Sequence, residues 1–122
     1  MAIEIKQQPN QVGQWLYVIE RKETGLVLDH LVIEGIADDS SVDAWNAQVA
    51  NGILILADNV TLNNVQLSRL HVGIEVRGHN CRLLNVEARL ISGDVIQGNG
   101  FSPWTKCLVS RDLLKRSLTM ST

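Results

Sequence analysis

Four acidic residues in the middle of this 122-residue chain, Asp58, Glu75, Glu87 and Asp94, are the side chains most suited to bond-breaking chemistry. Hydrolysis of a glycosidic bond takes two carboxyl groups, one protonated and one ionised, ~5 Å apart for retention or ~6.5–9.5 Å for inversion. Glu75 and Asp94 follow the glycines Gly73 and Gly93, near the starts of consecutive repeat units, so they form the candidate catalytic pair. Within Ser92-Gly93-Asp94 the carboxylate also suits a second role, closing a corner through its own backbone.

Arg77 and Arg82, with Arg69 and Arg89, are candidate ligand-binding groups. Outward guanidinium groups pair bidentately with the carboxylates of an acidic glycan, and the same residues suit a solvated surface balanced by Glu75 and Glu87. Trp45 is the third binding candidate, since an indole face that projects from a loop is a platform for a sugar ring or a partner's apolar patch. Packing of that ring onto the flank of the fold is the alternative. Asp38, Asp39 and Asp43 supply oxygen ligands of the kind calcium takes, but without the ordered alternation and glycine of a calcium loop they read as a solvated loop with Asx turns. His30, His71 and His79 share no metal spacing, and Cys81 and Cys107 no redox spacing, so neither metal nor cofactor is expected. No Ser-His-Asp order, P-loop or dinucleotide fingerprint is present.

An internal repeat must position these groups. NGILILADNVTLNNVQLSRLH (51–71) and VGIEVRGHNCRLLNVEARLIS (72–92) align at a constant offset of 21 residues: Gly52 on Gly73, Ile53 on Ile74, Ile55 on Val76, Asn59 on Asn80, Leu62 on Leu83, Asn64 on Asn85, Val65 on Val86 and Leu70 on Ile91. A degenerate copy precedes them at an offset of 34, with Leu28 on Leu62, His30 on Asn64, Leu31 on Val65 and Ile33 on Leu67, the extra length being one long loop near 37–49. Apolar residues alternate in short pairs broken by Asn, Gly or Asp, which is strand periodicity. The spacing predicts three short strands per unit joined by sharp corners, stacked ~4.8 Å apart. Asn64 above Asn85 is expected to form an amide ladder inside a corner, continued by His30. A further unit begins at Gly93, with Gly98 matched to Gly78.

Residues 2–6 read as a short strand or N-terminal cap, and Trp15–Glu20 as a strand followed by the charged turn Arg21–Gly25. Beyond residue 100 the pattern stops, and Trp104, Leu108, Leu114 and Leu118 suit one face of a helix over about 104–119. The other reading is a tail that replaces the continuation of a longer solenoid and is ordered by other copies. Composition fits one globular domain: apolar residues are 45% and charged ones 20%, and the five aromatics leave the core to Val, Leu and Ile. Acids outnumber bases eight to three in residues 1–50 and bases outnumber acids four to one in 101–122. There is no basic stripe, so no nucleic-acid partner is expected. The polar N-terminus and the lack of a long apolar run predict synthesis in a cytoplasm without a signal peptide, and no membrane span.

The runs NGILILADNVTLNNV (51–65), GIEVRGHNCRLLNVEA (73–88) and SGDVIQGNG (92–100) resemble the pectate-lyase-like right-handed parallel β-helix superfamily, closest in wording to bacteriophage tail-spike and tail-associated proteins. A left-handed hexapeptide helix would need a period near 18. The resemblance implies an all-β fold, a short right-handed parallel β-helix of three to four turns over residues 1–100, with an N-terminal cap and the 37–49 insertion, then a C-terminal cap or assembly tail over 101–122. It implies binding of polysaccharide along an outer groove and a place in a virion tail, while the small size of the stack predicts self-association into a homo-oligomer to hide the terminal layers. The alternative is a fragment of a polysaccharide lyase, glycoside hydrolase or epimerase acting through outward carboxylates.

Overall fold

The computed structural model describes residues 2–98 and the strand residues Arg111–Asp112. Among them the elements run β1 (Ile3–Lys6), β2 (Trp15–Ile19), a 3-10 turn (Arg21–Glu23), β3 (Val27–Glu34), α1 (Val42–Gln48), β4 (Asn51–Ile55), β5 (Thr61–Leu70), β6 (Ile74–Val76), β7 (Arg82–Ile91), β8 (Ile96–Gly98) and β9 (Arg111–Asp112). Odd-numbered strands form one sheet, in the order β1-β3-β5-β7-β9, and even-numbered strands the other, β2-β4-β6-β8. The chain therefore crosses between sheets at every connection. Every pairing is parallel.

The repeat offsets are the strand registers. Leu62 pairs with Leu83, Val65 with Val86 and Leu70 with Ile91 across β5–β7, and Ile53 with Ile74 across β4–β6, all at 21 residues. Leu28 pairs with Leu62 and Ile33 with Leu67 at 34. The last even strand departs from the expected alignment, because Gly98 pairs with Val76 rather than lying over Gly78. The loop before β8 is one residue longer than its predecessor, so the offset there is 22, not 20.

Three strands per unit are not what forms. The second and third merge into one ten-residue strand, β5 or β7, bent at residues with left-handed backbone: Asn64 and Arg69 in β5, Asn85 and Leu90 in β7. Together with Asn59 and Asn80 just before each strand, these recur every fifth residue. Each left-handed residue resets the two-residue alternation by one place. Inward positions consequently follow a 2-3-2-3 spacing, Val60, Leu62, Val65, Leu67 and Leu70, then Cys81, Leu83, Val86, Ala88 and Ile91, all buried.

These side chains join Ile19, Ile53, Ile55, Ile74, Val76 and Ile96 of the even-numbered sheet in one apolar cluster between the two sheets. Full burial of each Leu, Ile or Val contributes roughly 1.5–3 kcal/mol. Glycines permit the close approach of layers at the sheet-to-sheet crossings: a Cβ on Gly78 would lie 1.8 Å from the Ala57 carbonyl oxygen.

The long loop at 37–49 holds a helix. Ser41 caps α1 by accepting a hydrogen bond from the Ala44 N–H at 3.0 Å, and Asp43 sits in the first turn, where the helix dipole favours it. At its far end the Gln48 carbonyl accepts from buried Gln7, whose side-chain oxygen takes the Ile36 N–H, so one amide ties β1, α1 and the end of β3 together. The helix expected over about 104–119 lies outside the described residues except at Arg111–Asp112. Those two are extended and pair with Ala88–Arg89, extending the ladder of β7 as a helix could not.

Candidate functional site

Glu75 projects outward from the middle of β6, its neighbours in register being Leu54 and Gln97. Asp94 is three residues short of Gln97, roughly 10 Å along the strand direction. The two candidate catalytic carboxylates therefore do not stack on neighbouring layers. Both Glu75 oxygens are engaged by N–H donors: Arg77 Nε on Oε2, and Gln97 Nε2 on Oε1 at 2.7 Å. Asp94 gives its backbone carbonyl to the Gly73 N–H at 3.0 Å, a bond between layers that does not involve its carboxylate.

Arg77 follows β6 and Arg82 opens β7, on either side of the Gly78–Cys81 corner. Arg77 is committed to Glu75, while Arg82 is exposed and lines a shallow recess with Asn59, Thr61, Asn80 and Cys81. In the same corner the Asp58 carboxylate accepts the His79 backbone N–H at 2.8 Å, which holds its pKa below the ordinary carboxylate value. Burial pushes the Cys81 thiol up, as expected of a small apolar residue.

The Asn ladder takes a different form. Asn64 Nδ2 donates to Asp29 Oδ1 and Asn85 Nδ2 to Asn63 Oδ1, both at 2.9 Å, so each left-handed Asn bonds the residue before its counterpart on the preceding layer. Left-handed backbone turns the amide sideways and out of the core. Asn85 and His30 are exposed. Among the described residues no three His, Cys, Asp or Glu groups come together as a metal cluster, and Asp38 makes an Asx turn to the Ser40 N–H.

Trp45 does not project. It is 7% exposed, packed on the flank of the stack, with its indole Nε1 donating to Ser92 Oγ at 3.0 Å; the same Oγ lies 3.0 Å from His71 Nδ1. A two-turn helix has little stability of its own, so it lies down where its one large apolar side chain is covered. Between α1 and the end of β7 runs a groove of about 260 Å³, lined by Asp39, Val42, Trp45, Asn46, Leu90 and Ser92 among others. Residue type alone does not mark Ser92 and His71 as a pair; they stand one repeat apart, and the offset of 21 is the sequence signal that joins them.

The outer face of the odd-numbered sheet is the other extended surface. Glu4, Val32, Gln66 and Glu87 form one column across four strands, and Lys6, Glu34, Ser68 and Arg89 the next. Two shallow grooves of about 240 and 170 Å³ meet on it, sharing Val32, Gln66 and Glu87. Among the described residues no helix is long and apolar enough to cross a membrane. In comparisons with protein-family models, characterised proteins and solved structures, the chain shows no significant match.

Proposed function

We propose that this chain is a short right-handed parallel β-helix module that binds polysaccharide or neighbouring subunits, self-associating through its end layers, in a bacteriophage tail- or spike-type protein. The observation that carries the binding role is the outer face of the odd-numbered sheet. Its in-register columns set hydrogen-bonding and charged groups of both signs ~4.8 Å apart, and their spacing suits the repeated hydroxyl and carboxylate groups of a glycan. Alternation of the chain between two parallel sheets around one core supports the β-helix; the tail or spike setting rests on the sequence resemblance alone. Binding is favoured over glycosidic cleavage because Glu75 and Asp94 are out of register and both Glu75 oxygens are engaged.

The test is titration of the full chain with a panel of acidic and neutral bacterial surface polysaccharides, followed by calorimetry and by assay of new reducing or unsaturated ends. One polysaccharide should bind without releasing ends, and Gln66→Ala with Glu87→Ala should weaken it at least tenfold. Release of ends would replace this reading with a glycan-cleaving enzyme. No binding across the panel, together with a monomer in sedimentation, would remove it.

A further inference from the structure

Ser92 Oγ is shared by two partners, Trp45 and His71. An indole N–H only donates, so Ser92 Oγ must accept from Trp45 Nε1, and the hydroxyl proton is left to point elsewhere. His71 Nδ1 lies 3.0 Å from Oγ and accepts the hydroxyl proton in the tautomer that carries its own proton on Nε2. In that tautomer the Ser92 hydroxyl donates to His71 Nδ1, the contact that a nucleophile makes with its base. The ring is seated against the Gly93 backbone: a Cβ there would lie 3.0 Å from Cε1 and 3.2 Å from Nδ1. Ser92 and Trp45 line the α1 groove, whereas His71 stands outside its lining, so Oγ sits between the space for a substrate and the base.

We infer that Ser92 and His71 form an acyl-transfer site that hydrolyses small carboxylic esters held in the α1 groove. Ser92 Oγ adds to the ester carbonyl carbon as its proton passes to His71 Nδ1. The tetrahedral intermediate collapses, the bond to the alcohol oxygen breaks, and the imidazolium returns the proton to that oxygen, leaving acyl-Ser92. Water, giving its proton to the same Nδ1, then cleaves the acyl ester and restores the hydroxyl. The backbone N–H groups of Ser92 and Gly93 are spent on the Leu70 and His71 carbonyls and the indole N–H on Ser92 Oγ, so the rate rests on the nucleophile and base rather than on an oxyanion hole. Leu90 and Val42 in the groove lining favour an apolar acyl group, and its size favours a short one.

The experiment treats the full chain with a fluorophosphonate probe and maps the adduct by peptide mass, alongside turnover of p-nitrophenyl acetate. Wild type should carry one adduct, on Ser92. Ser92→Ala should carry none and turn the ester over at least tenfold more slowly. His71→Gln, at an exposed position that leaves the core untouched, should label at least a hundredfold more slowly while its circular dichroism matches wild type, the scale of a lost general base. Absence of an adduct on wild-type Ser92, or labelling of His71→Gln at the wild-type rate, overturns the proposal.

Discussion

Asn64 and Asn85 do two jobs: each adopts left-handed backbone at φ 58 and 55, and each ties its layer to the one before through its amide. Asn tolerates that backbone because its short polar side chain bonds locally, whereas most residues with a Cβ lose roughly 1–2 kcal/mol there. Asn64→Ala should therefore lower unfolding free energy by about 1–2 kcal/mol in urea titration, and Asn64→Gly by less, since glycine accepts the backbone and forfeits only the bond to Asp29. Asp58 provides a pH test. Its pKa is lowered on folding, chiefly by the His79 backbone N–H, so it adds stability above the unfolded carboxylate value and loses it as pH falls through the folded one. Asp58→Asn should flatten the decline of thermal midpoint between about pH 5 and pH 2 relative to wild type.

Among elements, the crossings between sheets are the least forgiving. Gly78 passes so close to the Ala57 carbonyl that Gly78→Ala must push two layers apart, and it should cost about 3 kcal/mol in chemical denaturation, the upper range for overpacking. Helix α1 depends on its anchor. Trp45→Ala removes its buried side chain and the bond to Ser92, and should cost roughly 3–5 kcal/mol if the helix cannot resettle, with proteolytic nicking appearing first within residues 38–48.

In the whole molecule, protection follows place in the stack. β5 has β3 on one side and β7 on the other, while β1 is an edge of its sheet. Amide exchange should be slowest in β5, where opening breaks two ladders, and faster in β1 by at least tenfold, as mass spectrometry of exchanged peptides would show. Uniform protection across both strands would mean that the stack opens only as one unit.

The repeat alone determined the register of β3, β5 and β7 and of β4 on β6, because identical layers gain most when like side chains stack, and each offset allows that in one way. It also marked the bends at Asn59, Asn64, Asn80 and Asn85, since Asn is a residue that accepts left-handed backbone. Arg69 and Leu90 carry no such mark; their backbone is imposed by the layers around them. Tertiary structure alone decided the rest. Whether Trp45 projects or packs depended on a helix too short to announce itself, whereas the offset of 21 already kept Asp94 two places from Glu75 and the extra residue before β8 made it three. The juxtaposition of Trp45, Ser92 and His71 joins the insertion to two successive layers, a meeting set by how the helix lies on the stack rather than by any local preference in the chain.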